Sequence, residues 1–177
     1  MLIGLETAAL PSQDTQEVER LLHMVVVGGG PTGVELSGEL HDFLEDDLKS
    51  WYPELASKIR ITLVEALPNV LPMFSKQLIN YTESTFKESK IEIMTKTMVK
   101  EVKEKSVVLQ MPDKSIKEVP CGLVVWAAVR VKSRSSNLVD IDFTCVREIV
   151  VFRLPAISWT NFPTFRPINV EYLLMVS

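Results

Sequence analysis

Cysteine and histidine are scarce in this chain, two of each in 177 residues. Cys121 and Cys145 stand too far apart for a C-x-x-C redox pair or a zinc ligand set, which leaves both as buried or incidental thiols. His23 and His41 have no sequence neighbour that completes a metal pair or a nucleophile and base, so both are expected to be structural or solvent-facing. No metal site is expected. A surplus of positive charge is also missing, and a net charge of −4 argues against a nucleic-acid partner. No apolar stretch approaches the length of a membrane span; the longest lies near Leu123-Val124-Val125-Trp126-Ala127-Ala128-Val129. The opening residues, Met1-Leu2-Ile3-Gly4-Leu5-Glu6, lack the basic start of a signal peptide and the Arg-rich character of a transit peptide, so no targeting segment is expected in this chain.

Glycine is also sparse, at seven residues, yet four of them fall within Gly28-Gly29-Gly30-Pro31-Thr32-Gly33. Before them runs His23-Met24-Val25-Val26-Val27, a short apolar strand, and after them Val34-Glu35 opens an amphipathic helix. This is G-x-G-x-x-G in the context it needs. Gly28 lets the chain leave the strand in a tight turn, Gly30 lets backbone approach a pyrophosphate, and Gly33 lets helix and strand pack closely. The phosphates are then expected on the free N–H groups of the helix N-terminus.

Around the turn the elements follow in order. Asp14 to Leu22 reads as a short helix with Val18, Leu21 and Leu22 at helical spacing, delivering the chain to a strand at Met24–Val27. From Pro31, well placed in a first helical turn, a helix is expected to about Leu48, with Leu36, Leu40, Phe43, Leu44 and Leu48 as its apolar stripe. The acids Glu45-Asp46-Asp47 lack the ligand spacing of a calcium loop and read as a solvated helix end. An extension, residues 49–58, precedes the strand Ile59-Arg60-Ile61-Thr62-Leu63-Val64-Glu65. An acid closing the second strand bonds the adenosine ribose and repels a 2′-phosphate, so Glu65 is the expected ribose ligand and NAD is favoured over NADP. The extension accounts for its unusually long distance from the glycines.

Ser75 to about Ser89 forms a second helical pattern with Leu78, Ile79, Thr82, Thr85 and Phe86 inward, and Ile91–Met94 supplies a third strand. The βαβαβ order predicts an α/β fold, a Rossmann-like parallel sheet with helices on both faces. Val99–Val102, Val107–Met111 and Ser115–Val119 alternate apolar and polar residues and read as an inserted antiparallel meander. Leu123–Trp126 is a fully apolar run expected to return to the sheet centre. Met24, Met73, Met94, Met98 and Met111 read as core filler. Trp51 and Tyr52 read as packing on the helix. No general acid, base or nucleophile stands out, so any hard chemistry belongs to bound cofactors.

Residues 1 to about 128 resemble the NADH-binding part of the type II, or alternative, NADH:ubiquinone oxidoreductases of mitochondria in their external form. The resemblance rests on the tract from His23 to Glu35, on Asp47-Leu48 with Trp51-Tyr52-Pro53, on Thr62-Leu63-Val64-Glu65-Ala66, and on Val70-Leu71-Pro72-Met73-Phe74. It implies that Gly28, Gly29, Gly30, Pro31, Thr32, Gly33, Val34 and Ala127 line the NADH site, that Glu35 lies near the nicotinamide end, and that Glu65 holds the adenosine ribose. It further implies hydride transfer from NADH to FAD, then electron transfer to ubiquinone without proton pumping, at the mitochondrial inner membrane. The FAD lobe, quinone site and membrane anchor of the family are not found here, so this chain alone is expected to be inactive. A homodimer is among the states the resemblance allows. The disulfide-reductase branch of the same flavoproteins and a non-catalytic NAD(H)-binding module are the rival readings, the latter separable by the absence of bound flavin.

The expected division is a lead-in helix and linker at 1–23, an NAD(H)-binding domain at 24–128, and a tail at 129–177. Residues 1–128 carry a net charge of −6 and residues 129–177 a net charge of +2. The tail follows no family pattern and has no sustained period. It is expected to be a non-homologous, poorly packed end, against the rival that it replaces a strand of the sheet.

Overall fold

The computed structural model describes residues 6–10, 14–128 and 150–153. Strand β1 (His23–Val27) is buried along its whole length, as a β-branched run flanked by neighbours on both sides must be. It pairs in parallel with β2 (Arg60–Val64) on one side and with β7 (Leu123–Trp126) on the other, placing Val25 between Thr62 and Val124. β2 in turn pairs in parallel with β3 (Glu92–Met94). β8 (Val150–Arg153) runs antiparallel to β7, giving the sheet order β3-β2-β1-β7-β8. Of the expected tail, only β8 lies within the described residues.

Alternation along the strands sorts the core into two layers. Met24, Val26, Ile61, Leu63, Leu123 and Val125 face the helices, packing with Leu44, Leu48 and Phe86. Val25, Val27, Val64 and Val124 face the other way, against Val107, Leu109, Val119 and Cys121. These last four belong to or adjoin a three-stranded antiparallel sheet of β4 (Met98–Val102), β5 (Ser106–Gln110) and β6 (Ile116–Pro120), with a bulge between Val99 and Glu101. The meander expected from the sequence is present, but helices do not cover both faces among the described residues. The two crossovers from β1 to β2 and β2 to β3 run in the same direction, and right-handed connections therefore lay both helices on one face. The meander covers the opposite face.

Helix α1 (Thr15–Leu21) is fixed by buried Leu21 and by Arg20, which is 6% exposed. The Arg20 guanidinium donates to Glu17 at 2.8 and 2.7 Å and to the Cys121 carbonyl at 2.9 Å, tying α1 to the turn before β7. Helix α2 (Pro31–Phe43) has Gly30 as N-cap and passes at Leu44–Leu48 into a π-helical turn, continued by α3 (Lys49–Trp51) and, after Tyr52, α4 (Pro53–Ala56). The wider turn keeps Leu44 and Leu48 inward while Glu45, Asp46 and Asp47 face solvent. Trp51 is exposed, whereas Tyr52 packs on the core.

Helix α5 (Lys76–Glu88) is capped by Ser75, whose Oγ accepts from the Leu78 amide at 3.4 Å. Ile79, Thr82 and Phe86 are buried as expected, but Leu78 lies on the exposed side near the helix start. Met73 and Met98 are also exposed rather than core filler. Met73 lies just beyond the buried pair Val70-Leu71, and Met98 occupies the first position of β4.

Candidate functional site

The chain leaves β1 towards β2 and β3 on one side and comes back to β7 on the other. A crevice outside the carboxyl ends of β1 and β7 follows from that reversal of strand order, and it is where α/β sheets take ligands. The glycine turn occupies this place. Gly28 has φ +114°, a backbone state that L side chains avoid. Its amide donates to the Val64 carbonyl at 2.8 Å, while an added Cβ would sit 2.8 Å from the Ala128 nitrogen. Beside it, the Ala127 amide donates to the Val27 carbonyl at 2.8 Å, so β7 runs on against the turn.

Gly33 permits the helix to start this close, because a Cβ there would run into the Gly28 carbonyl oxygen. Ser37 Oγ donates to the Gly33 carbonyl at 2.7 Å and helps close that first turn. Gly30 is different. It caps the helix with extended backbone, and no atom lies within 4 Å of where its Cβ would be. The first helical bond is Val34 N–H to the Gly30 carbonyl at 3.0 Å. Pro31 has no N–H, so the amides of Gly30, Thr32 and Gly33 are left without intrahelical partners beside that open ground, at the positive end of the helix dipole. Such an end takes an anion.

Glu65, half-buried just after β2, faces the same turn. Its Oε2 accepts from the Gly29 amide at 2.5 Å and its Oε1 from the Leu67 amide at 2.8 Å. Each carboxylate oxygen has a second lone pair, so a ligand hydroxyl can still be accepted. The Leu71 amide donates to the Gly29 carbonyl at 2.7 Å, bringing the segment after β2 onto the turn from a second direction. Leu67 and Leu71 are not among the expected site residues, although Leu71 lies in the Val70–Phe74 tract of the resemblance, because their contributions are made by backbone amides that any residue carries.

The remaining expected residues divide by exposure. Pro31 is exposed at the start of α2 and Glu35 is exposed just past its first turn, Thr32 is half-buried, and Val34 packs on the helical side of the core. Ala127 is half-buried, its Cβ 3.6 Å from the place a Gly33 Cβ would take.

Neither histidine joins this cluster. His23 begins β1, at the opposite end of the strand from the turn, with Nδ1 2.8 Å from the Pro120 carbonyl and Nε2 2.8 Å from Thr62 Oγ1. Burial pushes its pKa below the ordinary histidine value, reinforced by Arg60 and Lys117 and opposed by the Pro120 carbonyl and Glu92. His41 lies 3.2 Å from Asp42 on the helix surface. Cys121 is buried and its thiol is pushed up to about 11 by that burial; Cys145 lies outside the described residues. Among the described residues no group of three or more His, Cys, Asp or Glu is placed to hold a metal, and no helix is long and apolar enough to cross a membrane.

Residues 4–151 match the model of a protein family described as pyridine nucleotide-disulphide oxidoreductase. The chain is 54% identical over 117 residues to a probable mitochondrial NADH-ubiquinone oxidoreductase of Schizosaccharomyces pombe, a match covering 64% of this chain and 21% of the relative. It is 55% identical over 119 residues to the external alternative NADH-ubiquinone oxidoreductase of Yarrowia lipolytica mitochondria, covering 65% and 20%. In three dimensions it superposes on NDH2 of Plasmodium falciparum, solved in complex with NADH, with a TM-score of 0.70 and 34% identity over 72% of this chain and 26% of that one. The matched part thus spans about a fifth of the length of the curated relatives.

Proposed function

The chain belongs to the pyridine nucleotide-disulphide oxidoreductase family, and from that premise we propose that it is the NADH-binding part of a type II NADH:ubiquinone oxidoreductase of mitochondria. One observation carries this reading: the open ground at Gly30, bordered by free helix amides, lies beside a turn whose amide is held by the Glu65 carboxylate. The pyrophosphate of NADH fits the amides of Gly30, Thr32 and Gly33, and the adenosine ribose hydroxyls fit the spare lone pairs of Glu65. The nicotinamide then extends along the crevice past Gly28 and Ala127, with Glu35 at that end.

What these residues contribute to catalysis is position. They fix the pyrophosphate and one ribose, which leaves the nicotinamide ring a restricted arc in which to meet its acceptor. In this reading the acceptor would be FAD, whose chemistry would be to accept the hydride and to supply electrons for ubiquinone; the residues described here would hold the NADH that faces it. This sequence has one glycine fingerprint, and we assign it to NADH; flavin binding and ubiquinone reduction are proposed for the full length of the relatives, of which the matched part spans about a fifth. Cys121 offers nothing to a disulfide reductase, since a buried thiol with a raised pKa is a poor nucleophile.

Glu65→Gln tests the assignment of the ribose. The variant removes the charge and one acceptor, and is expected to weaken NADH about tenfold while narrowing the preference for NADH over NADPH. An unchanged ratio of the two affinities would take Glu65 out of the site.

A further inference from the structure

Gly29, the middle glycine of the turn, is held at both of its polar groups by one segment. Its N–H donates to Glu65 and its carbonyl accepts from the Leu71 amide at 2.7 Å. Leu71 makes the second contact in the left-handed region, at φ +49°, which is costly for a residue with a Cβ. It is kept there by its surroundings. The residue is 6% exposed, Val70 before it is fully buried, and its own carbonyl accepts from the Phe74 amide at 2.9 Å. A strained, over-determined residue beside a ligand site points to a role in that site.

The role follows from the planarity of the peptide group. In a trans peptide the carbonyl of one residue and the N–H of the next point in opposite directions. With the Gly29 carbonyl fixed on Leu71, the Gly30 N–H is turned away from that segment. We propose that residues 65–71 form a backbone clamp that aims the Gly30 amide, with Leu71 as its positioning residue, so that Gly29 serves the cofactor from behind the turn. This rests on the dinucleotide reading above and adds to it a residue that touches no ligand atom. It also links the two halves of the site, because Glu65 holds the clamp with the carboxylate that faces the ribose.

The test compares Leu71→Val with Leu71→Met in NADH titrations, alongside amide hydrogen exchange of the ligand-free chain. Both variants keep an apolar side chain, but the β-branched valine disfavours positive φ far more than methionine does. Leu71→Val is expected to speed exchange of the residue-71 amide and weaken NADH by about tenfold each, with the NADH to NADPH ratio unchanged. Leu71→Met is expected to stay within about twofold of the parent chain. Equal losses in both variants mean packing alone and overturn the clamp, as does full NADH affinity in Leu71→Val with a fast-exchanging amide.

Should Leu71→Val not fold, the unsubstituted chain still decides. NADH is expected to slow exchange of the Leu71 amide about tenfold, and no change overturns the proposal. If the unsubstituted chain binds neither dinucleotide, it is the dinucleotide reading that falls, and this is seen before any variant is made.

Discussion

At the scale of single residues, the site depends on atoms that are absent. Gly33→Ala would drive a methyl group into the Gly28 carbonyl, so helix and strand must part. A loss of about 1–3 kcal/mol in urea unfolding is expected, together with loss of NADH binding. Gly30→Ala meets open space, so the fold should tolerate it while the methyl group stands where the pyrophosphate is expected. A variant that unfolds as the parent does but binds NADH at least about tenfold more weakly is the predicted outcome; undiminished binding would place the phosphates elsewhere.

His23 gives a pH dependence of definite sign. Its folded pKa lies below the unfolded value, so the unfolded chain binds the proton more readily. The stability held by neutral His23 is therefore complete above about pH 6.5 and is lost as pH falls through the folded pKa. Arg60 and Lys117 oppose protonation, whereas Glu92 and the Pro120 carbonyl favour it. The melting temperature of the parent chain should fall between pH 7.5 and 5.5 more steeply than that of His23→Gln. Parallel slopes for the two would contradict the buried, neutral imidazole.

Among the elements, those written in side-chain pattern were legible in the sequence, and those written in backbone were not. β1, β2 and β7 are apolar runs whose burial follows from their composition, and the meander showed itself by alternation about Pro112-Asp113-Lys114. The helix from Pro31 kept its leucine stripe, but its passage into a π turn at Leu44 leaves no mark in that stripe. The side covered by each layer was also hidden, because period-two alternation says that two faces exist and not what lies on them. In the candidate site, the fingerprint glycines are read from their spacing, and Glu65 from its place at the end of the second strand despite an unusually long distance from them. The donors from Leu67 and Leu71 could not be read in this way.

Helix α1 shows the same division. Its apolar positions were visible, yet its attachment runs through buried Arg20, a residue type that usually reads as surface. Arg20→Ala would remove the hydrogen-bond donor from the Cys121 carbonyl and leave Glu17 with only Lys105, 3.8 Å away. A destabilisation of about 1–3 kcal/mol is expected by urea unfolding, with NADH affinity retained, since α1 adjoins the start of β1 rather than the turn at its end.

For the molecule as a whole, two sheets share one interior, and their division of labour explains why a glycine turn alone is not the site. The parallel sheet sets β1 beside β2 and β7, which brings Glu65 and Ala127 to the turn from either side. The antiparallel sheet covers the face opposite the helices and holds the strands in place. The central claim is that this assembly binds NADH in the crevice outside β1 and β7. Titration of the unsubstituted chain with NADH and with NADPH, followed by nicotinamide fluorescence, tests it most directly. Saturable binding that prefers NADH is the predicted result; binding of neither, or a preference for NADPH, would contradict it.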